Sequence, residues 1–268
     1  MLCFAQKGLN LRTFLAAFGL SFGLSFGLVA GLGGPVFATD LDNLTDAERT
    51  AFRAEVRAYL LDNPEVLMEA IAVLEGRSAE AEVRRDAAAV AANADALFGS
   101  DFDVVLGNPD GDVTVVEFMD YRCGYCRRAH PEVMDLINFD GKIRLVIKEL
   151  PILGEQSLLA SRFAIAARVA LGDAAYEAVH HGLMELRGDV SDASLVAMAD
   201  GLGLDSAAIL GAMDDPLVRA TIEHNRALAQ RLSISGTPSF VFGDQMVRGY
   251  VPLDDMQQIV AMLRDMAN

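Results

Sequence analysis

The sequence predicts an α/β protein in which a short βαβ unit is flanked by long helical segments. Val113–Met119, V-T-V-V-E-F-M, is almost continuously apolar, which is typical of a central strand buried on both faces. A helix is expected from about Cys123 and a second strand over Ile143–Lys148, which together complete the unit. Residues 155–233 show helical periodicity throughout, so an all-helical segment interrupts the strand pattern.

The first 38 residues have the organisation of a secretory signal peptide. Lys7 and Arg12 form a positive start, and an apolar run follows over residues 14–34. Val36-Phe37-Ala38 then supplies small residues at the two positions that a signal peptidase reads. We therefore expect residues 1–38 to be cleaved and the protein to be exported to the periplasm. A retained membrane anchor is the alternative, since the run approaches the length of a span.

The overall charge disfavours a nucleic-acid partner. The chain has 22 Lys and Arg against 38 Asp and Glu, a net charge of −16, and both charges of the first 38 residues are positive. The remainder is therefore more acidic still, and such a surface repels phosphate backbones. Its plainest consequence is solubility.

Residues 39–99 are predicted to form an N-terminal helical arm. Asn63-Pro64 indicates a break between two helices, with Asn63 as N-cap and Pro64 in the first turn, and a third helix is expected over Ser78–Phe98. These helices have too few apolar residues for a core of their own. We expect residues 44–98 to pack against a second copy of the chain; an arm folded onto its own domain is the alternative.

Shorter elements complete the pattern. Asp103–Leu106 and Val113–Met119, separated by the turn Asn108–Gly111, are expected to form a hairpin. Five helices are predicted in the central segment: Gln156–Ala170, Ala174–Leu186, Asp192–Gly201, Asp205–Met213 and Asp215–Leu232. The end of the chain is predicted to form two strands and a helix: Ser239–Phe242, Gln245–Arg248 and Leu253–Met266.

The cysteines indicate chemistry rather than cross-linking. Cys3 lies in the predicted leader, which leaves Cys123 and Cys126 in a C-x-x-C pair. Stabilising disulfides usually close long loops, whereas this pair closes a very short one. Zinc would need four ligands, and the nearby candidates are His130 and His180-His181 on predicted helices. The small number of possible zinc ligands favours a redox-active cysteine pair over a zinc site.

The position of the pair favours a reactive thiolate. Cys123 is expected where a buried strand meets a helix N-terminus, so free N–H groups and the helix dipole would lower its pKa. Cys126 would lie nearly one turn behind, more buried and able to resolve a mixed disulfide. Three neighbouring cations, Arg122, Arg127 and Arg128, would act in the same direction.

Three motifs carry a resemblance to a known family: F-x-D-Y-x-C-G-Y-C-R-R-A, R-L-V-I-K-E-L-P-I-L-G and G-T-P-S-F-V-F-G. They resemble the DsbA-type branch of the thioredoxin superfamily over about residues 101–268. The resemblance implies a thioredoxin fold formed by residues 100–154 and 234–268, with residues 155–233 as an inserted all-helical domain. The segment F-R-A-E-V-R-A-Y-L-L-D-N-P-E-V-L resembles the helical arm of ScsC-like proteins, the copper-sensitivity-suppressor subgroup.

The resemblance also implies further site residues. Thr237-Pro238 matches the loop that presents a cis-proline beside the active disulfide, where the preceding backbone pairs with an extended substrate. Gly124 and Tyr125, between the cysteines, are expected to contact substrate. Glu117 resembles a buried acid that exchanges a proton with the second cysteine, and Lys148 is its expected charge partner. An ordinary ion pair at the strand edge is the alternative for these two.

The expected activity is thiol–disulfide exchange on exported proteins that contain thiols or disulfides. It needs no cofactor beyond the Cys123–Cys126 disulfide, and a membrane redox partner would restore the working state. The arm and Thr237 resemble isomerase-like members, so an isomerase or reductase is favoured over an oxidase. Two alternatives stay open: a periplasmic copper(I) site at the same cysteines, and a holdase chaperone.

Overall fold

The computed structural model describes residues 43–267, so the predicted signal peptide lies outside the described residues. The chain divides into two units, Met1–Asn63 and Pro64–Asn268. The first contains helix α1 (Asp46–Asp62) and the second contains all other described elements. In chain order these are α2 (Glu65–Ala92), α3 (Ala94–Phe98), β1 (Val104–Gly107), β2 (Val113–Met119), α4 (Gly124–Asp140), β3 (Ile143–Glu149), α5 (Glu155–Leu171), α6 (Asp173–Glu185), α7 (Asp192–Gly201), α8 (Ser206–Ala212), α9 (Pro216–Arg231), β4 (Ser239–Phe242), β5 (Gln245–Arg248) and α10 (Leu253–Ala267).

Helix α1 begins with a complete capping box. The Thr45 side chain accepts from the Glu48 N–H, and the Glu48 carboxylate accepts from the Thr45 N–H at 2.9 Å. The helix has no buried residue, and its apolar side chains Phe52, Val56 and Tyr59 are all exposed. Local capping therefore defines this helix, while its apolar side chains lack cover within the described chain.

Helix α2 runs without interruption through the position where the sequence analysis placed the start of a third helix. The break at Asn63-Pro64 is confirmed, but the predicted cap is wrong: Asn63 is the C-cap of α1, and Pro64 is itself the N-cap of α2. The predicted helix start at Ser78 is wrong, because α2 continues for 28 residues and only the short α3 follows. Gly76 is the sole helix-disfavouring residue there, and one glycine costs a helix only about 1 kcal/mol.

The C-terminal part of α2 is packed on the main domain. Val90 and Leu97 of α2 and α3 are buried, and Arg248 of β5 donates to both carboxylate oxygens of Asp86 at 2.6 and 2.8 Å. A further ion pair joins Arg248 to Glu82 at 3.5 Å. The C-terminal part of the segment assigned to the arm thus contacts the edge strand β5, while apolar side chains nearer its start, such as Leu74, stay exposed.

The five strands form one sheet in the order β1-β3-β2-β4-β5. β2 and β3 are parallel and the other pairs are antiparallel. The predicted β1–β2 hairpin is wrong, since β1 pairs with β3. Asn108, in the expected turn, bonds instead to the start of β3, its N–H donating to Ile143 O at 2.9 Å. Gly111 passes so close that a Cβ atom would lie 2.5 Å from Lys142 O, so this loop crosses over β3.

Strands β2 and β3 are buried on both faces, as their composition predicted. On one face α4 packs with the apolar residues Val115, Met119, Leu145 and Ile147 into the larger core. On the other, Val116, Phe118, Val146 and Leu150 join α3 and α9 in a second core. The helix that begins at the cysteine pair is therefore held against the centre of the sheet.

Five helices, α5 to α9, lie between β3 and β4, each within about one residue of its predicted bounds. α5 buries Ala160, Ala164 and Ala167, whose small side chains permit close helix packing. The predicted fold class, a thioredoxin fold with a helical insertion, is confirmed. Within residues 43–267, no helix combines the length and apolar character that crossing a membrane requires.

Candidate active site

Cys123 is the N-cap residue of α4, at the junction that the sequence predicted. Its backbone is extended, with φ −74° and ψ 118°, and its N–H donates to Asp120 O at 3.0 Å. The thiol is 8% exposed and donates to Thr237 O at 3.1 Å. The sulfur therefore lies at the surface end of the helix, facing the loop that precedes β4.

The surroundings lower the pKa of Cys123 to about 5. The largest cause is a hydrogen bond from the Cys126 thiol; a hydrogen bond from Thr237 and the N–H groups of Cys126 and Tyr125 add to it, against the cost of burial. The predicted effect of the helix N-terminus thus operates through individual N–H donors. The thiolate dominates at neutral pH, and it is the attacking species in disulfide exchange.

Cys126 differs from its neighbour, as the sequence analysis expected. It is fully buried, and the hydrogen bond that it gives to Cys123 raises its own pKa, with burial and the nearby Glu117 carboxylate acting in the same direction. Both cysteines are free thiols in the structure. The pair therefore contains one accessible, acidic thiol and one buried, basic thiol.

Glu117 is buried beneath the pair. It is 2% exposed, and its Oε1 has no hydrogen-bond partner among the described residues. Burial raises the pKa of Glu117 to about 8, and the negative charge of Cys123 contributes. A carboxyl group with this pKa can hold or release a proton near neutral pH, which fits the predicted exchange with Cys126.

Lys148 is not the charge partner of Glu117. In the parallel register Glu117 lies opposite Ile147, and Lys148 lies opposite Phe118. Successive side chains of a strand point to opposite faces, so Lys148 points to the other side of the sheet. There it pairs with the buried Asp103 and donates to Ala96 O at 2.7 Å. Glu117 is thus left without a cation, which is why burial dominates its pKa.

The Thr237–Pro238 peptide bond is cis, as the resemblance implied. It brings Thr237 O to the Cys123 thiol. Tyr125 is 62% exposed beside the pair, and Gly124 is exposed with open space where a Cβ would lie. Their predicted contacts with substrate stay predictions, but their side chains and backbone are accessible.

The segment before Cys123 is anchored by Asp120, which the sequence did not mark as a site residue, and by Arg122, which was expected only as a neighbouring cation. Asp120 is fully buried, and its Oδ2 accepts from the N–H groups of Ile152 and Leu153 at 2.8 and 3.1 Å. Arg122 donates to Gly188 O, in the insertion, at 2.7 Å. The motif F-x-D-Y-x-C contains the first of these residues, but the partners lie 32 to 66 residues away and no local signal identifies them.

Three histidines meet between α4 and α6. The ring centroids of His130, His180 and His181 are 5.0 to 5.8 Å apart, and His130 Nε2 lies 2.9 Å from His181 Nδ1. Burial lowers the pKa of His130 to about 4. Between residues 43 and 267, no group of three or more His, Cys, Asp or Glu side chains is arranged to hold a metal ion. Burial also lowers the pKa of His180, so the His130 and His180 rings are uncharged at neutral pH.

Comparison with known families agrees with this geometry. The DsbA-like thioredoxin domain matches residues 114–261, more than half of the chain. The chain belongs to the DsbA-like thioredoxin family. The N-terminal domain of the copper resistance protein ScsC also matches, over residues 48–81. Both parts of the resemblance stated from the sequence motifs are thereby confirmed.

Solved structures similar to this DsbA-like chain cover its main domain. A thioredoxin-like oxidoreductase from Silicibacter pomeroyi DSS-3 is 46% identical, covers 64% of this chain and 97% of its own, and has a TM-score of 0.61. Proteus mirabilis ScsC in a transitional conformation is 31% identical, covers 82% of this chain and 98% of its own, and has a TM-score of 0.60. These similarities support the assignment of the chain as a thiol–disulfide oxidoreductase.

Curated relatives match over a smaller part of their own length. The Na(+)/H(+) antiporter NhaA 1 of Salinispora arenicola (strain CNS-205) is 31% identical over 160 residues, which are 60% of this chain and 24% of that protein. The DsbA-like chain therefore spans about a quarter of the length of the curated relatives that it matches.

Proposed function

We propose that this DsbA-like chain catalyses thiol–disulfide exchange in exported proteins, with Cys123 as nucleophile and Cys126 as resolving cysteine. The proposal rests on the position of the Cys123 sulfur. This acidic thiol lies at the start of α4 and contacts Thr237 of the cis-proline loop. A thiol in that position combines reactivity with a neighbouring backbone edge on which a substrate can lie.

The reaction balances with the two sulfurs alone. The Cys123 thiolate attacks a substrate disulfide, forms a mixed disulfide and releases one substrate sulfur as a thiolate. The Cys126 thiol then loses its proton and attacks the Cys123 sulfur, which releases the second substrate thiolate. Two electrons have passed to the substrate and the Cys123–Cys126 disulfide has formed. A membrane redox partner that reduces this disulfide would complete the cycle.

Glu117 is the proposed acceptor of the Cys126 proton. Its pKa of about 8 and its electrostatic interaction with Cys126 suit a transfer in either direction near neutral pH. Lys148 takes no part in this transfer, because it lies on the other face of the sheet and pairs with Asp103.

The proposed direction is isomerisation or reduction rather than oxidation. Both directions use the same sulfurs. The low pKa of Cys123 stabilises the reduced pair, which isomerisation requires, but it also makes the disulfide a stronger oxidant, so the preference rests on the arm. An isomerase must also avoid the oxidising machinery of its compartment. Assembly through residues 44–98 could shield the pair, and exposed apolar side chains on each of the first two helices support such assembly, among them Phe52 and Leu74.

Export to the periplasm is proposed from the leader alone. Lys7, Arg12 and the apolar run before Val36-Phe37-Ala38 support it. Mass spectrometry of the protein recovered from the periplasmic fraction tests it. A mature N-terminus at Thr39 is expected, and a chain that retains residues 1–38 in the membrane fraction would contradict cleavage.

Two parallel assays test the activity and its direction. Refolding of a scrambled, multiply disulfide-bonded substrate measures isomerisation, and formation of a disulfide in a reduced dithiol peptide measures oxidation. We expect faster refolding of the scrambled substrate and loss of it in C123S. The C126S variant should instead accumulate a mixed disulfide at Cys123. An active C123S protein would contradict the assignment, and peptide oxidation without refolding would reverse the direction.

A copper(I) site at the same pair is a second candidate. The match to the N-terminal domain of the copper resistance protein ScsC favours it, and two thiolates suit Cu(I). Copper titration of the reduced protein separates the two roles. Sub-micromolar binding lost in C126S, together with disulfide exchange too slow to measure in the wild type, would favour the metal role.

A further inference from the structure

Tyr121 joins the segment that presents Cys123 to the end of β3. It is completely buried two residues before Cys123, and its hydroxyl donates to Glu149 Oε1 at 3.0 Å. The same hydroxyl lies 3.0 Å from Nδ1 of His180 on α6. The Tyr121 carbonyl accepts from Arg127 Nε at 2.7 Å, so both ends of the residue are held.

Glu149 accepts hydrogen bonds from several elements of the structure. The Tyr176 hydroxyl of α6 donates to the same Oε1 atom at 2.8 Å, and Asn225 Nδ2 of α9 donates to the backbone Glu149 O at 3.2 Å. The side chain is 2% exposed, at the last position of β3. Through its carboxyl group and its backbone carbonyl, Glu149 therefore links the sheet, the inserted helices α6 and α9 and the segment before Cys123.

The Tyr121 anchor is one of three in this segment. Asp120 is held by the loop after β3, and Arg122 is held by Gly188 O in the insertion. The Arg122 anchor is partly exposed, whereas Tyr121 and Glu149 are shielded from water. A hydrogen bond in a water-free setting fixes geometry more firmly, since no solvent molecule can replace the lost partner.

This anchoring bears on the donors around the Cys123 sulfur. The N–H groups of Tyr125 and Cys126 that stabilise the thiolate belong to the first turn of α4, directly after the anchored segment. Hydrogen bonds weaken steeply when donor and acceptor lose alignment. A segment free to move before Cys123 would therefore weaken both N–H contacts and the contact with Thr237.

We propose that Glu149 is a positioning residue for Cys123, acting through the Tyr121 hydroxyl. The proposal rests on thiol–disulfide exchange at Cys123 as the function of the protein. Glu149 does not touch the sulfurs; it holds the segment in the conformation that stabilises the thiolate. The inserted helix α6 carries Tyr176 to this carboxyl group and His180 to the Tyr121 hydroxyl, so the insertion contributes to the reactivity of the pair.

Tyr176 provides a matched control. Tyr121 and Tyr176 are both fully buried, and both donate to the same oxygen of Glu149. Only the first precedes Cys123 in the chain. Replacing either by Phe removes one hydroxyl and leaves the ring, so the two variants should lose similar stability.

The experiment measures the alkylation rate of Cys123 in the reduced protein as a function of pH, read from the peptide that contains it by mass spectrometry. In Y121F we expect the pKa to rise by about half a unit, so alkylation below the wild-type pKa slows about threefold. In Y176F the rate should equal that of the wild type. In E149Q the amide oxygen can still accept from Tyr121, and the rate should be close to wild type, whereas E149L should follow Y121F.

The outcomes separate the two proposals. An unchanged rate in Y121F, or an equal fall in Y176F, would overturn the positioning role while leaving the proposed function intact. A wild-type Cys123 that titrates near the free value of ~8.5 would overturn the function itself. Thermal unfolding shows whether each variant is folded. If Y121F is unfolded, the alkylation rate of E149L is compared with that of Y176F instead. Equal alkylation rates in these two variants would overturn the positioning role.

Discussion

The low pKa of Cys123 predicts that reduced protein gains stability from its thiolate, in an amount that depends on pH. The pKa falls from 9.0 to about 5 on folding. At about pH 7 the folded thiol is ionised and the unfolded thiol is not. Two pH units separate this pH from the folded pKa, so the thiolate contributes about 2.7 kcal/mol to the free energy of unfolding.

The sign follows from proton binding. Between the two pKa values the unfolded state binds more protons than the folded state, so the contribution grows with pH. It is lost as the pH falls through about 5, and it is nearly absent at about pH 4. The oxidised protein has no thiolate and no such term. Expressed as a potential, about 2.7 kcal/mol makes the disulfide about 60 mV more oxidising.

The disulfide cross-link stabilises the oxidised protein and so opposes the contribution of the thiolate. The two contributions can be separated because only that of the thiolate depends on pH. The disulfide closes a very short loop in the unfolded chain, which stabilises the oxidised form by about 2 kcal/mol. That term does not titrate. The quantity to measure is therefore the difference in the free energy of unfolding between reduced and oxidised protein, by urea unfolding at about pH 7 and about pH 4.

We expect this difference to move by about 2.7 kcal/mol in favour of the reduced form as the pH rises. Glu117 is coupled to Cys123, so the measurement is repeated in E117Q, whose amide does not titrate. C123S cannot form the disulfide, so only its own free energy of unfolding is measured, and this should lack the pH-dependent contribution of the thiolate. A difference that stays constant between the two pH values would refute the reasoning.

Three further predictions concern the surrounding structure. K148M should destabilise the protein by about 3 kcal/mol in urea unfolding, because Asp103 loses its buried partner, and adding D103N should recover most of the loss; a loss below about 1 kcal/mol would contradict it. The pKa of His130, near 4 when folded and 6.5 when unfolded, makes stability fall as the pH drops through this window, by up to about 3 kcal/mol, and H130Q should flatten that slope in urea unfolding. R248A should speed hydrogen exchange in the last turns of α2, while R84A, which removes an ion pair within that helix, should not.

Local patterns explain most of what the sequence predicted. A run such as V-T-V-V-E-F-M indicates a buried strand wherever it pairs, and Cys123 after that strand defines a helix start without knowledge of the fold. The two motif-based expectations, the cis peptide bond before Pro238 and the buried Glu117, needed the family resemblance and were confirmed in position. Their catalytic roles stay predictions.

The predictions that are wrong concern features that depend on pairing between distant segments of the chain. Lys148 was expected beside Glu117 because its strand is adjacent, but a shift of one residue in register sends a side chain to the opposite face. The turn residues near Asn108 suit a hairpin and a crossing loop equally, and only the position of β3 decides between them. The Tyr121–Glu149 contact spans 28 residues and has no sequence signal.

The packing of α2 against β5 makes the two ends of the arm unequal. A cut near Leu74 would remove exposed apolar surface and leave the sheet as it is. A cut beyond Asp86 would also remove the partner of Arg248 and, a turn later, the buried Val90, and would then expose apolar side chains on one face of the sheet. Trimming the arm from its start should thus leave the sheet covered until the cut reaches Glu82, and should favour aggregation beyond Asp86.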